Sequence, residues 1–193
     1  ESLQGEGYNT GMSAVFIRLG KCNLACAWCD TDYLKFGMMR LSDILSRLQT
    51  YAARNIIITG GEPTIQPHLS VLLDALKAQG YRLCIETNGL KPAPVQIDYV
   101  AASPKACYAE KYRQQCIEAA DEVRIVADGD VLAFCAEMEQ KIRATHYYLS
   151  PCEIDGQMNI YDTIRQIGLL NARADAQVHW QLSVQTHKWA GIE

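Results

Sequence analysis

Segments with the composition of β-strands alternate with amphipathic segments along the whole chain, and this alternation restricts the fold more than any other feature. The strand-like segments are rich in β-branched and aromatic residues, whereas apolar residues in the intervening segments recur at helical spacing. A strand followed by a helix and another strand gives a right-handed crossover between parallel strands. The sequence therefore predicts an α/β fold on a mostly parallel sheet, either open or curled towards a barrel.

The boundaries of these elements follow from hydrophobic periodicity and from turn residues. The predicted strands are 14–19, 55–59, 82–87, 97–102, 122–126, 146–149 and 178–184, and the predicted helices are 41–53, 68–79, 131–142 and 160–170. In the first helix, Ile44, Leu45 and Leu48 share one face, and Ser42 is the expected N-cap. No repeat, low-complexity tract or interdomain linker interrupts the pattern, so we expect one domain over residues 1–193.

Composition and charge argue against two classes of partner. The formal net charge is -4, with 18 basic and 22 acidic residues, which predicts no broad basic surface for nucleic acid. No apolar run is long enough to span a bilayer and no signal-like N-terminus is visible, so we expect a cytoplasmic protein with no membrane partner. The chain opens at Glu1 rather than Met, so a few native N-terminal residues are expected to be missing.

Polar clusters follow five of the predicted strands, at the point where each strand ends. Carboxyl ends of parallel strands meet at one edge of a sheet or barrel, where active sites form. We therefore expect a functional site built from the residues of these clusters, which are 59–63, 86–89, 103–105, 150–151 and 185–188.

Three cysteines, Cys22, Cys26 and Cys29, have the spacing C-x3-C-x2-C in one loop after the first strand. A structural zinc site normally takes four protein ligands, commonly in two pairs. Thiolates also suit iron-sulfur clusters, in which three cysteines leave one iron open to a small molecule. One alternative stays open: a fourth ligand from the histidines could complete a zinc site, the candidates being His68, His146, His179 and His187. The scattered cysteines are expected to be reduced and buried, namely Cys84, Cys107, Cys116, Cys135 and Cys152.

A second motif accompanies the cysteines at the end of the next strand. Gly60 and Gly61 allow close backbone approach to a ligand, and Glu62 can accept a hydrogen bond from an ammonium group. Together with Trp28 just before the last cysteine, these motifs resemble those of the radical S-adenosylmethionine (SAM) superfamily. Further motifs, at 3–7, 16–18, 29–31, 86–89, 103–105 and 185–188, resemble in that order the 7-carboxy-7-deazaguanine synthase family within it.

The resemblance implies a partial, shortened (β/α) barrel and a homodimer. It also implies a lyase that converts 6-carboxy-5,6,7,8-tetrahydropterin to 7-carboxy-7-deazaguanine with loss of ammonia, in the biosynthesis of queuosine and related modified nucleosides of tRNA. The implied cofactors are a 4Fe-4S cluster, SAM and Mg²⁺, and the implied electron donor is a flavodoxin-type protein. In this family the reduced cluster cleaves SAM to a 5'-deoxyadenosyl radical that takes hydrogen from C6 of the pterin.

The resemblance also assigns residues by position. Cys22, Cys26 and Cys29 would hold the cluster and Thr31 would bind magnesium, since a hydroxyl oxygen is a hard ligand. The expected SAM contacts are Trp28, Cys29, Asp30, Gly61, Glu62, Ser103, Pro104, Lys105, Ser150, Pro151, Cys152 and Glu153. The expected pterin contacts are Leu3, Gln4, Gly5, Glu6, Arg18, Thr59, Asn88, His187 and Glu193. Arg18 would pair with the substrate carboxylate through its two-pronged guanidinium. Ser150 stands at a position where a member of the family has glutamine.

Two other functions are compatible with the cysteine loop. A small glycyl-radical activase would share the cysteine spacing but would act on a protein backbone. A binding module stabilised by zinc or by a cluster would use the metal only to hold the loop. About four irons with matching sulfide would indicate catalysis, whereas one zinc without sulfide would indicate the module.

Overall fold

The computed structural model describes residues 1–154 and 156–192, which form one continuous series of strands and helices. The strands are β1 (Ser2–Leu3), β2 (Ser13–Leu19), β3 (Asn55–Gly60), β4 (Arg82–Thr87), β5 (Tyr99–Ala102), β6 (Glu122–Ala127), β7 (His146–Pro151), β8 (Glu153–Ile154), β9 (Gln157–Met158) and β10 (Trp180–Leu182). The helices are α1 (Leu41–Leu48), α2 (Leu69–Ala78), α3 (Ala109–Gln114), α4 (Leu132–Lys141), α5 (Ile160–Asn171) and α6 (Thr186–Ala190). Short 3-10 turns cover Pro63–Ile65 and Ala106–Tyr108.

One eight-stranded sheet organises these elements. Its strand order is β1-β2-β3-β4-β5-β6-β7-β10, so neighbours in the sheet follow one another along the chain except where the small β8-β9 hairpin intervenes. Only the pairing of β1 with β2 is antiparallel among the pairs of this sheet in the described residues. Successive parallel strands added in the same direction are the arrangement of a β/α barrel rather than of a doubly wound sheet. The predicted partial barrel with mostly parallel strands is therefore confirmed.

The two faces of the sheet have different chemistry. Side chains alternate between the faces along each strand, and the face that meets the helices is apolar. Ile56 and Ile58 on β3, with Leu83 and Ile85 on β4, are fully buried there against α2. Each such side chain contributes about 1.5–3 kcal/mol by leaving water. A second apolar cluster around Ile125, Leu149 and Trp180 packs under α4 and α5.

The opposite, concave face is apolar at its base and polar towards the carboxyl ends of the strands. Ile57, Cys84 and Tyr99 form part of the apolar base. Two residues further along their strands, Thr59 follows Ile57 and Glu86 follows Cys84 on the same face. The period-2 pattern of these strands thus places polar groups at the edge where the sequence predicted a site.

The N-terminal segment connects the two edges of the sheet. β1 pairs with β2, with Ser2 opposite Ala14, at one edge. A few residues later, the Gly7 N–H donates to Ser183 Oγ at 2.9 Å, and the Thr186 N–H donates to the Gly5 carbonyl at 3.0 Å. Ser183 and Thr186 follow β10, the other edge strand. The segment therefore spans the opening that the incomplete barrel leaves between β2 and β10.

Several predicted boundaries need correction. The first helix ends at Leu48 rather than Ala53, because the Thr50 side chain and N–H both bond to the Arg47 carbonyl and turn the chain. Ser42 is not the cap: the N-cap position is Arg40, and the Ser42 hydroxyl contacts Asp43 instead. The last strand covers only Trp180–Leu182 of the predicted 178–184. Within the described residues, no helix has the length and apolar character to cross a bilayer.

Candidate active site

A cavity of about 680 Å³ opens at the carboxyl ends of the strands. It brings together the cysteine loop, the N-terminal segment, the ends of β2 to β7 and helix α6. Every described residue that the sequence predicted for the site lines this cavity except Pro104, which is buried behind it. Glu193 lies outside the described residues. Residues from positions 1 to 188 thus converge on one volume.

The cysteine loop lies against one side of the cavity and is held by three long-range hydrogen bonds. Asn88 donates from Nδ2 to Asn23 Oδ1 at 2.7 Å, and the Ala25 N–H donates to the Tyr108 hydroxyl at 3.0 Å. The Trp28 indole N–H donates to Asp128 Oδ2 at 2.8 Å. Each anchor follows a different strand, so three parts of the sheet hold the loop against the cavity.

The three cysteine thiols are free to bind metal. All eight cysteines are unpaired, and Cys22, Cys26 and Cys29 line the cavity. Burial raises the pKa of the Cys22 thiol and raises that of Cys26 to about 12. These thiols therefore ionise on binding a metal, which releases their protons. Among residues 1–154 and 156–192, no three His, Cys, Asp or Glu side chains are arranged around one ion. A 4Fe-4S cluster takes one thiolate on each of three separate irons, so the donor set fits it.

The scattered cysteines differ in exposure. Cys84, Cys135 and Cys152 are buried as predicted, and Cys116 is half-buried. The prediction was wrong for Cys107, which is exposed. It lies in the 3-10 turn between Lys105 and α3, where only part of the side chain is covered.

The Gly60-Gly61-Glu62 segment supports the start of the cysteine loop. The Gly61 and Glu62 N–H groups donate to the carbonyls of Leu19 and Lys21, both at 2.8 Å. A Cβ atom on Gly61 would lie 1.8 Å from the Lys21 carbonyl oxygen, so only glycine allows this approach. The segment therefore forms the wall directly beside Cys22.

The Glu62 carboxylate is occupied by the protein itself. The side chain is 1% exposed; Oε1 accepts from the Thr64 N–H and from the hydroxyls of Thr64 and Thr87, and Oε2 accepts from the Asn88 N–H. Its distances to Thr87 Oγ1 and to the Asn88 nitrogen are both 2.7 Å. The structure therefore gives this carboxylate a role in joining the ends of β3 and β4. The expected bond to a SAM ammonium group would need an acceptor site beyond these four.

Carboxylates and one arginine form the floor of the cavity. The Gln4 amide and the Thr59 hydroxyl donate to Glu86 at 2.8 and 3.1 Å. Arg124 on β6 donates to both Glu6 and Glu86 at 3.0 Å. The predicted contacts Gln4, Glu6 and Thr59 are thus joined in one network. Glu86 belongs to the 86–89 cluster predicted for the site, although it was not among the expected ligand contacts. Arg124 was not predicted, although a charged residue inside the apolar strand 122–126 was a usable signal.

Arg18 projects from the end of β2 into the cavity. Its side chain is exposed, and within the described residues it forms no ion pair. The guanidinium lies 5.8 Å from the centre of the Phe16 ring. A guanidinium that faces a cavity without an internal carboxylate is suited to an anionic group of a ligand. Leu3 and Thr31 also line the cavity.

Helix α6 covers the cavity from the C-terminal side. A Cβ atom on Gly5 would lie 1.9 Å from His187 Nδ1, so only glycine leaves room for the imidazole to pack against the N-terminal segment. Lys188 Nζ donates to Asp30 Oδ2 at 2.9 Å, which links α6 to the cysteine loop. Burial raises the pKa of Asp30, but hydrogen bonds from Lys188 and Gln185 and the Lys188 charge outweigh it and lower the pKa overall.

Lys105 and Ser150 line the part of the cavity next to β5 and β7, whereas Arg18 lies on β2. Lys105 Nζ donates to Ser103 Oγ at 2.6 Å and lies 5.3 Å from the Trp28 ring centre. Burial lowers the pKa of Lys105. Ser150 is 4% exposed, and its Oγ has no hydrogen-bond partner among the described residues. An orphaned buried hydroxyl at a cavity wall is the kind of group that a bound ligand satisfies, and this fits a polar cofactor such as SAM.

Comparisons with known proteins identify the family of the chain. The sequence model of the radical SAM superfamily matches residues 16–107. The chain is 83% identical over all 193 residues to 7-carboxy-7-deazaguanine synthase of Neisseria meningitidis, of which it covers 91%. It is 58% identical over the same length to the 7-carboxy-7-deazaguanine synthase of Haemophilus influenzae, again covering 91%.

Two solved structures also resemble the chain. The crystal structure of QueE from Escherichia coli matches with a TM-score of 0.68 and 28% identity, over 95% of this chain and 90% of QueE. Streptococcus suis SuiB bound to S-adenosylmethionine matches with a TM-score of 0.51 and 14% identity, over 88% of this chain and 46% of SuiB, which shows the fold alone. With full-length identity far above the level at which families diverge, the chain belongs to the 7-carboxy-7-deazaguanine synthase family of the radical SAM superfamily.

Proposed function

We propose that the cavity is the site at which this radical SAM lyase converts 6-carboxy-5,6,7,8-tetrahydropterin to 7-carboxy-7-deazaguanine with loss of ammonia. The observation that carries the proposal is that the three cysteines of the loop and the polar floor around Glu86 line the same cavity. A cluster on one wall would then lie next to a substrate on the floor. A metal that served only to hold the loop would not need such a cavity beside it.

Cys22, Cys26 and Cys29 would hold the 4Fe-4S cluster, and the anchors at Asn23, Ala25 and Trp28 would fix its position. When bound, the cluster and SAM supply the 5'-deoxyadenosyl radical that removes hydrogen from C6 of the pterin. The task of the chain is to orient the two ligands so that the reacting atoms are adjacent and water is excluded.

The proposed pterin site lies between Arg18 and the floor. Arg18 would bind the pterin carboxylate, since it is the cation on this wall that has no carboxylate partner in residues 1–154 and 156–192. On the floor, the carboxylates of Glu6 and Glu86 could accept hydrogen bonds from the N–H groups of the heterocycle. Other proposed contacts come from side chains and backbone around this space, namely Leu3, Gln4, Gly5, Thr59, Asn88 and His187.

Asn88 and His187 would contribute in a limited way. Both side-chain groups of Asn88 already bond within the protein, the amide nitrogen to Asn23 and the oxygen to the Leu90 N–H at 3.0 Å. His187 packs on Gly5 with the Nδ1 side of its ring, so it would reach the substrate only with the rest of the ring. Asn88 therefore acts mainly as the support of the cysteine loop in this proposal.

The proposed SAM site runs along the other wall. The Gly61 backbone, Ser103 and Lys105 would contact the amino acid part of SAM, and Ser150 would satisfy its free hydroxyl on the nucleoside part. Further proposed contacts are Trp28, Cys29, Asp30, Glu62, Pro104, Pro151, Cys152 and Glu153. For Glu62 the proposal is restricted to its backbone, because its carboxylate already accepts four hydrogen bonds.

The resemblance to the family supports four further proposals. Thr31 would ligate Mg²⁺ beside the substrate carboxylate, a flavodoxin-type protein would supply the electron, the chain would form a homodimer, and it would work in the cytoplasm. Thr31 is half-buried at the cavity, which suits a ligand role. A homodimer has twice the chain mass of 21.5 kDa, so sedimentation equilibrium of the holoprotein tests it directly.

Anaerobic reconstitution tests the proposed function. The protein is loaded with iron and sulfide and incubated with the carboxytetrahydropterin, SAM, Mg²⁺ and a chemical reductant, with mass detection of the deazaguanine acid. We expect about four irons with matching sulfide per chain and the acid as product. Omitting SAM is the control. One zinc without sulfide, or a loaded protein that leaves the pterin unchanged, contradicts the proposal.

A further inference from the structure

Arg124 is the centre of a charge network on the floor of the cavity. The residue lies on β6 with its side chain 6% exposed, and its three guanidinium nitrogens each meet a different carboxylate. Nη1 lies 3.0 Å from Glu6, Nη2 lies 3.0 Å from Glu86 and Nε lies 3.2 Å from Glu122. These carboxylates come from the N-terminal segment, from β4 and from β6 itself. One side chain thus ties three separate parts of the fold.

The three carboxylates are not equivalent. Glu122 is 2% exposed, does not line the cavity, and is bonded by the Tyr8 N–H at 2.9 Å and by the Tyr99 hydroxyl at 3.0 Å. Glu6 and Glu86 both line the cavity. Arg124 therefore uses one nitrogen to anchor itself in the protein and the other two to hold carboxylates that face the ligand space.

Arg124 also opposes the effect of burial on both cavity carboxylates. Burial raises the pKa of Glu86, but the charge of Arg124 and hydrogen bonds from Gln4, Arg124 and Thr59 outweigh it, so the pKa is lowered overall. Burial raises the pKa of Glu6 more than Arg124 lowers it, so that pKa is raised overall. The shared cation thus lowers the pKa of both carboxylates, but the pKa falls below its ordinary value only at Glu86. The charged groups that face Glu6 are Arg124, Glu86, His187, Asp30 and, further along the wall, Lys105.

We propose that Arg124 is a positioning residue for the pterin: it holds Glu6 and Glu86 on the cavity floor at a fixed spacing. The proposal rests on the proposed function. A planar guanidinium is required for this task, because its nitrogens point to separate acceptors in one plane. A lysine ammonium keeps the charge but has no such planar fork.

The test distinguishes a positioning role from simple stabilisation. It compares a variant of Arg124, which holds the two carboxylates of the cavity, with a variant of Glu122, which does not line the cavity. The reconstituted wild type, Arg124→Lys and Glu122→Gln are compared for kcat and KM of the pterin, for the pH profile of kcat/KM and for Tm. Arg165→Lys is the matched control, because Arg165 forms an exposed ion pair with Asp162 and neither residue lines the cavity.

Arg124→Lys should raise the KM for the pterin about tenfold to a hundredfold, because weakening a hydrogen bond to a charged group has an effect of that size. It should also move the acid limb of the pH profile of kcat/KM to higher pH. Weaker attraction to the cation raises the pKa values of Glu6 and Glu86, so both carboxylates become protonated at a higher pH and no longer accept hydrogen bonds from the pterin. Glu122→Gln should lower Tm and leave KM within about twofold of the wild type. The control should match the wild type.

The inference is overturned if Arg124→Lys and Glu122→Gln both lower Tm while KM and the pH profile stay as in the wild type. If Arg124→Lys does not fold, the charge-balanced double variant Arg124→Gln with Glu122→Gln replaces it, and a wild-type KM in that variant equally refutes the role. A wild type that does not turn over the pterin refutes the proposed function and this inference with it, whereas normal wild-type turnover with unchanged variants refutes the inference alone.

Discussion

Replacing Glu62 by glutamine removes one charge from a fully enclosed site without changing the shape of the side chain. In the native protein, Oε1 accepts three hydrogen bonds, from Thr64 and Thr87, and Oε2 accepts one from the Asn88 N–H. A glutamine must place its NH₂ group at one of these two positions. The less costly choice is the Oε2 position, where the NH₂ group then opposes the Asn88 N–H and leaves this donor without an acceptor.

The size of the effect follows from these contacts. A hydrogen bond to a charged group contributes about 1.5–3 kcal/mol, and a buried donor left without a partner costs about 1–3 kcal/mol. The amide retains the other bonds in weaker, uncharged form, so we expect the variant to lose about 2–4 kcal/mol of unfolding free energy. For a chain of this length each kcal/mol lowers Tm by about 3 °C, which predicts a decrease of about 6–12 °C.

The assay is urea and thermal unfolding of the metal-free protein, followed by circular dichroism. Glu137→Gln on α4 is the control: it changes the same group in partly exposed ion pairs and should shift stability by no more than about 1 kcal/mol. Because cluster and SAM are absent from the assay, a loss of stability can only come from the internal role of the carboxylate. A Glu62→Gln protein as stable as the control would refute the reasoning, and would favour a direct role of this carboxylate in SAM binding.

Four further changes test the site itself. Cys26→Ala should abolish cluster assembly and SAM cleavage, measured by iron content and by release of 5'-deoxyadenosine; retained cleavage contradicts the assignment. Arg18→Ala should raise the KM for the pterin about tenfold or more while uncoupled SAM cleavage continues, and an unchanged KM counts against the contact. Ser150→Ala should leave apoprotein stability unchanged and weaken SAM binding about threefold to tenfold by calorimetry; equal affinity contradicts the ligand role. Since burial raises the pKa of Cys26 to about 12, iron loading followed by absorbance should become faster with rising pH, and a pH-independent rate would argue against a thiol that must ionise.

The architecture could be predicted because the patterns that determine it lie within short stretches of the chain. Alternating strands and helices determine a sequentially wound parallel sheet, and the position of each polar cluster after a strand places it at one edge. The cysteine loop was equally readable, since three thiols at C-x3-C-x2-C spacing lie within eight residues. In each case the relevant residues are neighbours along the chain.

The charge network and the anchors could not be predicted in the same way. Arg124 meets Glu6 across 118 positions, and Tyr108 meets Ala25 across 83. Such pairings depend on the curvature of the sheet and on which face a residue occupies. Glu62 could not be interpreted correctly from its residue type alone. A glutamate at this position suggested a contact to SAM, but the structure shows that four donors of the protein already bond to its carboxylate.

The bonds that join Gly5 and Gly7 to Thr186 and Ser183 have a consequence for synthesis of the protein. They link positions separated by 176 or more residues, so one side of the cavity cannot form on the ribosome until Ser183 and Thr186 have emerged. A nascent chain therefore presents its cysteine loop to the surroundings before the N-terminal segment and α6 can enclose the ligand space. Iron and sulfur would have their widest access in that interval, before the segment that carries Ser183 and Thr186 completes the enclosure.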